Sequence, residues 1–260
     1  MIYEIQDTDR CLHLFENWDE TLIWSCLQKI MGKIYGDDPN HPAAAMAVLG
    51  DFTFFAGNPN AELVSYKPDF CSGDFMIMVP QNGRWENMIT QIHGDRARVT
   101  SRYAIKKEPG VFDKEKLERA AASLPEGYEL SMIDERLYQM CREKAWSADL
   151  VSQFPDYETY TRLGIGAVIC KNNVIVSGAS SYSRYRGGIE IEIDTKEEYR
   201  RGGLAYACGA KLILECLKRN LYPSWDAQNL GSVALAEKLG YHYSHAYTAV
   251  EIWGWQSASG

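Results

Sequence analysis

Several features that mark other protein classes are missing from this 260-residue chain. Its seven cysteines include no Cys-x-x-Cys pair, the spacing that zinc and redox sites use. Its long apolar runs, such as residues 43–49, fall far short of the ~20 residues that cross a bilayer. Basic residues are outnumbered, with 27 Lys and Arg against 35 Asp and Glu and a net charge of −8. These absences argue against a metal site, a membrane span and a nucleic-acid partner.

The chain does contain the material for a compact core, since 46% of its residues are hydrophobic and 12% are aromatic. At ~150 residues per domain, its length predicts one large domain or two modest ones. A cluster of helix and strand breakers at residues 124–127 predicts an N-terminal domain at 1–125 and a second domain at 126–260. Because the first residues have neither a basic region nor an apolar stretch, we expect a cytoplasmic protein.

The second half has a clear order of elements. Its hydrophobic periods predict a strand, a helix, an antiparallel meander of three strands, a helix, a strand, a helix and a last strand. The meander ends in the strand 189–195, and the next helix spans about 203–219. This order predicts an α/β (α+β) fold with a mixed, mostly antiparallel sheet flanked by helices, preceded by an α/β N-terminal domain.

A glycine-rich turn lies between that strand and that helix. Its residues are Arg200, Arg201, Gly202, Gly203, Leu204 and Ala205. Glycine lets the backbone approach a phosphate closely, and the free N–H groups of a helix N-terminus attract anions. The turn therefore predicts an anion site, although an ordinary glycine turn is the alternative. Neither the Walker A pattern nor Gly-x-Gly-x-x-Gly is present, which disfavours nucleoside triphosphates and NAD.

Acidic residues alternate with isoleucines along the strand 189–195. The alternation places Glu190, Glu192 and Asp194 on one face of the strand. An alkyl ammonium, with a pKa near ~10, must lose a proton before it can attack a carbonyl, and a nearby carboxylate binds the cation and relays that proton. The alternative is an acidic face in contact with solvent.

Two motifs resemble a known family. The turn matches the Arg/Gln-x-x-Gly-x-Gly/Ala signature of the GNAT superfamily of N-acetyltransferases. Residues 229–241 resemble its second signature, an Asn followed by a helix that ends in Glu-Lys-x-Gly-aromatic. Residues 222–226 are similar to the GNAT subgroup of zwittermicin A resistance enzymes. The resemblance covers about 126–260 and leaves residues 1–125 without a motif.

The resemblance implies transfer of an acetyl group from acetyl-CoA to a primary amine of a small molecule, by direct attack in a ternary complex. Glu190 or Glu192 would be the general base or ammonium anchor, and the turn 200–205 would hold the pyrophosphate. The resemblance also implies cofactor contacts outside the turn, from backbone groups of Ile193, Asp194 and Thr195 to the pantetheine arm and from Asn229 and Ser232 on the cofactor's other side.

One position departs from the family pattern. The family often has a tyrosine before the Glu-Lys of the second signature, whereas this chain has Ala236. A proton for the leaving thiolate must then come from water or from another hydroxyl, and we favour Tyr241 over Tyr243. The alternative for Tyr241 is packing beyond the end of a helix at Gly240, which the pattern predicts to be left-handed.

The rival to an enzyme is a non-catalytic module that binds acyl-CoA or a protein partner on the same fold. Residues 1–125 could form a degenerate second copy of the GNAT-like half, contribute to the pocket or mediate a homodimer. Two histidines, His242 and His245, have no further ligands at a suitable spacing, so no metal is expected there.

Overall fold

The computed structural model describes residues 1–255. In this part of the chain, the strands, numbered in chain order, are β1 Tyr3–Glu4, β2 Lys33–Gly36, β3 Ala44–Leu49, β4 Phe52–Gly57, β5 Phe75–Pro80, β6 Ala97–Ile105, β7 Tyr128–Met132, β8 Gly166–Lys171, β9 Val174–Tyr185, β10 Gly188–Thr195, β11 Tyr222–Ser224, β12 Asp226–Ala227 and β13 Tyr243–Trp253. The α-helices are α1 Thr21–Leu27, α2 Ala61–Ser65, α3 Gly83–His93, α4 Lys114–Ala122, α5 Glu135–Arg142, α6 Ala145–Ala148, α7 Tyr157–Leu163, α8 Leu204–Lys218 and α9 Leu230–Leu239. Three 3₁₀ segments span Thr8–Leu14, Gly94–Arg96 and Glu197–Tyr199.

The chain divides into two compact units, of which unit 1 consists of Met1–Arg102 together with the chain from Ala246. Its strands β1, β2, β3 and β4 are antiparallel neighbours, and β5 lies parallel to β4. The residues from Val250 to Trp253 of β13 pair antiparallel with β5. Met46, Trp85 and other buried side chains form the core of this unit.

Unit 2 consists of Tyr103–His245. Its sheet has the order β11-β10-β9-β8-β7, in which β11 is parallel to β10 and the other neighbours are antiparallel. Helix α8 covers one face, where Leu204, Cys208 and Leu212 are buried with Ile189 and Ile191 of β10. The predicted mixed, mostly antiparallel fold with flanking helices is therefore confirmed.

The predicted boundary near residue 125 falls inside unit 2, between α4 and β7. Leu117 and Ala120 of α4 belong to the same core cluster as the buried face of α8. This apolar contact holds α4 in unit 2, although the breaker cluster follows it in the sequence.

Both units repeat one succession of elements. In each, a strand at the end of an antiparallel run is followed by a helix and then by a strand parallel to the first, as β4-α2-β5 in unit 1 and β10-α8-β11 in unit 2. Among residues 1–255, no helix combines the length and the apolarity that crossing a membrane requires.

Candidate functional site

The neighbouring strands β10 and β11 separate partway along β10. Their last register pair joins Glu190 to Ser224, whereas β10 continues to Thr195. Residues 191–195 therefore extend past the end of β11. A strand edge of this kind offers backbone N–H and C=O groups to an extended ligand. Glu190 marks the point where the edge opens, which we call the fork.

The backbone groups of β10 alternate between the fork and the neighbouring strand β9. Lys196 N–H donates to Val176 of β9 at 2.9 Å, so Asp194, two residues earlier, also faces β9. Consistently, the Asp194 carbonyl accepts from Ser177 Oγ at 3.3 Å. Ile193 and Thr195 then face the fork.

Thr195 already uses both of its backbone groups within the protein. Its N–H donates to Asp194 Oδ1 at 2.6 Å, and its carbonyl accepts from Arg200 Nε at 3.0 Å. Of the three residues predicted to contact a pantetheine arm, Ile193 is thus the one whose backbone is best placed to do so.

The glycine turn leaves the N-terminus of α8 open. Gly203 is its N-cap, with φ +80°, and a Cβ built on Gly203 would meet no other atom within 4 Å. Arg201 also has a left-handed backbone, with φ +64°. Glycine has no side chain with which to cap α8, and the first turn of this helix holds no acidic residue. The open space and the outward N–H groups fit an anionic phosphate.

The two arginines of the turn differ in position. Arg200 folds back on the end of β10, where Nη2 lies 3.6 Å from Asp194 Oδ1 and Nε binds the Thr195 carbonyl. Arg201 is exposed. The turn therefore offers an anion its backbone groups and the Arg201 side chain, but not the Arg200 side chain. Leu204 is buried in the core and fixes the start of the helix.

The acidic residues of β10 lie on the face opposite α8, as their alternation predicts. Glu190 is 6% exposed, whereas Glu192 and Asp194 are partly exposed. The β9–β10 register shifts between Glu190 and Ile191, which is a β-bulge of the kind found next to active sites. The fork therefore has one buried carboxylate, with two more accessible ones farther along the strand.

Tyr241 lies in the core after α9. Gly240 is left-handed, with φ +111°, as predicted, and the N–H groups of Gly240 and Tyr241 close the helix end on the carbonyls of Glu237 and Ala236. The Tyr241 hydroxyl donates to the Pro223 carbonyl at 2.6 Å. Burial raises the pKa of Tyr241 well above its ordinary value. This position favours packing over proton donation.

Asn229 and Ser232 lie together at the start of α9. Asn229 Oδ1 accepts the Ser232 N–H at 3.0 Å and is 3.5 Å from Ser232 Oγ. Asn229 is thus the N-cap of α9. Its contact with a cofactor stays a prediction.

His242 and His245 each contact a different side chain and do not contact each other in these bonds. His242 Nδ1 lies 2.6 Å from Glu108 Oε2, and His245 Nδ1 lies 3.0 Å from Ser244 Oγ. In residues 1–255, no cluster of three or more His, Cys, Asp or Glu could hold a metal ion.

Sequence reasoning missed the polar side chains that surround Glu190. Ser183 of β9 and Ser224 of β11 are its register partners, and Tyr185 Oη lies 2.8 Å from Ser224 Oγ. These side chains are buried. The four serines of β9 were a signal, but their partners depend on the register and on the bulge.

Comparisons with known proteins agree with this geometry. The profile of the family described as GNAT acetyltransferase matches residues 12–250. The Bacillus subtilis (strain 168) protein YdfB, described as an uncharacterized N-acetyltransferase, is 28% identical over 247 residues, or 88% of each chain. A GCN5-related N-acetyltransferase-like protein from Streptococcus suis 89/1591 has 46% identity and a TM-score of 0.89, over 95% of this chain and 98% of that one. A tandem GNAT protein from the clavulanic acid biosynthesis pathway shares the fold, with a TM-score of 0.52 at 9% identity over 98% of this chain and 99% of that one.

Proposed function

Because the chain belongs to the GNAT acetyltransferase family, we propose that unit 2 transfers the acetyl group of acetyl-CoA to a primary amine of a small molecule. The chain is an N-acetyltransferase, and enzymes of its family generally use acetyl-CoA. The amine acceptor, the direct attack and the residue roles are the parts that we propose.

One observation carries the proposal: Glu190 lies where β10 leaves β11, on the strand that leads to the open turn of α8. Glu190 and Thr195 are five residues apart, or about 17 Å at the rise of a strand. An extended arm bound along the fork would run from a carboxylate at one end to a phosphate-binding turn at the other. The backbone of Ile193 would bind the arm, and the N–H groups of residues 203–205 would bind the pyrophosphate.

The buried carboxylate accounts for the chemistry of transfer. Acetyl-CoA, when bound, supplies the acetyl group as a reactive thioester. Glu190 accepts a proton from the ammonium, the neutral amine attacks the carbonyl carbon, the C–N bond forms and the C–S bond breaks. Glu192 and Asp194, which are more accessible, attract the cationic acceptor.

The thiolate leaves without a strong acid. A thiol has a pKa of about 8.5, so its thiolate is a fair leaving group near neutrality. Ala236 offers no proton, and the Tyr241 hydroxyl is held by Pro223. We therefore propose that water takes the second proton of the attacking nitrogen and protonates the leaving thiolate.

The rival proposal is a module that binds acyl-CoA without catalysis. It needs the open edge and the turn but no carboxylate at the fork. The burial of Glu190 favours catalysis. A buried carboxylate lowers the stability of the fold, and carboxylates in such positions cluster at functional sites.

The test is thiol release from acetyl-CoA with polyamines, aminoglycosides and amino acids as acceptors. Glu190→Gln keeps the shape and removes the charge, so we expect turnover to fall by about 10²–10⁴-fold. Acetyl-CoA affinity, measured by calorimetry, should barely change. Glu192→Gln is the matched variant on the same face and should mainly raise KM for the amine. Normal turnover in both single variants and in the double variant would contradict the role of these carboxylates.

Other expectations from the sequence stay predictions. They are the relationship to zwittermicin A resistance enzymes, and so an antibiotic-resistance role, the homodimer, the cytoplasmic location and the domains 1–125 and 126–260. Assays with aminoglycosides and other amine antibiotics test the resistance role, and light scattering tests the homodimer.

A further inference from the structure

We infer that Ser183 is a positioning residue for the Glu190 carboxylate. The effect of Ser183 on the carboxylate does not depend on the proposed function, whereas its effect on catalysis does. Ser183 and Glu190 are register partners across β9 and β10. Directly opposite residues of antiparallel strands share a face, with Cβ atoms about 4.5–5.5 Å apart. A serine hydroxyl at this separation reaches a glutamate carboxylate directly or through one water molecule.

The Ser183 hydroxyl is buried without a protein partner. Ser183 is 0% exposed, and its Oγ has no hydrogen-bond partner in the part of the chain that the structure describes. Buried hydroxyls are nearly always hydrogen-bonded, since an unpaired one costs stability. Because of this cost, we expect the Ser183 hydroxyl to have a hydrogen-bond partner on the face of the sheet that it shares with Glu190.

The neighbouring hydroxyls are already engaged with each other. Tyr185 Oη and Ser224 Oγ lie 2.8 Å apart in a buried pair, and Ser224 is the partner of Glu190 on β11. A Cβ at Gly188 would collide with the Tyr185 hydroxyl, so the glycine makes room for this pair. This pair uses one of its two hydroxyl hydrogens, whereas the Ser183 hydroxyl has no partner at all in the part of the chain that the structure describes, so Ser183 is able to turn toward the carboxylate.

Donation to a carboxylate stabilises its charged form and lowers its pKa. Titratable side chains near this point include Tyr185 on β9, Glu192 on β10, Tyr222 on β11 and Tyr241 after α9. Arg184 of β9 pairs with Ile189 and so lies on the opposite face, toward α8. Helix α6, which also contacts β10, has no titratable side chain. With Ser183 in place, Glu190 is charged at a lower pH and is fixed toward the fork.

The experiment measures the titration of Glu190 in the full chain without substrate. The protein carries glutamate labelled with ¹³C at the carboxyl carbon, and Glu190→Gln assigns the resonance. In Ser183→Ala, we expect the midpoint to rise by about one pH unit. In Ser183→Cys, a weaker donor, the rise should be smaller.

Ser181→Ala is the matched control. Ser181 is a buried serine of the same strand, but it pairs with Ile191, and its Oγ accepts the Ile165 N–H at 3.0 Å. Its loss should leave the Glu190 midpoint unchanged, while circular dichroism verifies that every variant is folded. An unchanged midpoint in both Ser183 variants would overturn the inference, as would an equal rise in Ser181→Ala.

Turnover separates this inference from the proposed function. With the most active amine of the acceptor panel, Ser183→Ala should lower kcat about ten-fold below neutral pH, leave KM for acetyl-CoA unchanged and move the ascending limb to higher pH. If Glu190→Gln keeps full turnover, the catalytic role that the proposed function gives to Glu190 fails while the midpoint result stands. If Glu190→Gln is inactive and the midpoint does not move, the role of Ser183 alone fails.

Discussion

At the scale of single residues, the partner of a side chain decides between alternatives that the sequence leaves open. The Tyr241 hydroxyl donates to a buried carbonyl of β11, and its aromatic ring packs edge-on against Trp225 and Phe112. The Asn229 amide caps α9. Tyr241 and Asn229 belong to the second family signature, and the resemblance alone implies that they act at the cofactor. These contacts give each of them a structural role instead.

Tyr241→Phe should lower stability and leave catalysis intact. The change leaves the buried Pro223 carbonyl without its donor, which costs about 1–3 kcal/mol. We expect the free energy of unfolding in urea to fall by that amount and kcat to stay within two-fold. Tyr243→Phe, at a residue that is 38% exposed, should change neither quantity. A ten-fold loss of kcat on the descending limb of the pH profile would instead identify Tyr241 as the proton donor.

At the scale of elements, α8 joins the core to the site. Its apolar face, which includes Gly209, packs closely against Leu239 and Ile193. Packing holds the helix N-terminus still at the end of β10, and the left-handed Gly203 keeps the space before it open. A rigid helix end of this kind binds an anion without a reorganisation cost.

Gly203→Asp should abolish acetyl-CoA binding in calorimetry, because it adds a Cβ and a negative charge where the phosphates would bind. Gly127→Asp is a matched control, since Gly127 has φ +81° and equally open surroundings, but precedes β7. Both variants carry similar backbone strain and the same charge. Wild-type affinity in Gly203→Asp, or equal losses in the two variants, would remove the turn from the cofactor site.

At the scale of the whole molecule, the two units use the same succession of elements with different results. In unit 1 the place that corresponds to the fork is closed, because β4 pairs with β5 as far as Phe55 and Pro80. Gln81 extends the closure, as its N–H donates to Phe55 and its side chain accepts the Gly57 N–H at 3.0 Å. No such opening is then available to an extended arm along β4.

The helix that follows β4 is also closed to anions. Asn60 Oδ1 accepts the N–H groups of Glu62 and Leu63, and the Glu62 carboxylate in the first turn of α2 is paired with the N-terminal ammonium. This cap occupies N–H groups that a phosphate would need. Of the alternatives that the sequence leaves open for residues 1–125, these features favour a degenerate second copy that lacks the cofactor site.

The full chain should therefore bind one acetyl-CoA. We expect isothermal titration calorimetry to give a stoichiometry of one per chain, and zero in Gly203→Asp. A stoichiometry of two that falls to one in Gly203→Asp would show that unit 1 also binds the cofactor.

The sequence by itself determined the features that depend on neighbours along the chain. Asp134 and Asn229 cap α5 and α9 because their oxygens reach N–H groups three residues on. Gly240 ends α9 because glycine tolerates the left-handed backbone. The alternation of 189–195 fixed the two faces of β10, and the turn 200–205 fixed the start of α8. These patterns are local, so they can be predicted from one chain.

Only the tertiary structure decided which distant segments meet. The pairing of β13 with β5 joins residues more than 170 positions apart, and no local pattern names the partner of a strand. The bulge opposite Glu190, the length of the β10–β11 ladder and the bond from Tyr241 to Pro223 also depend on register. The register of each strand is set by the burial of its whole apolar face and by loop closure. The register in turn decides which residues, such as Ser183, lie beside the fork.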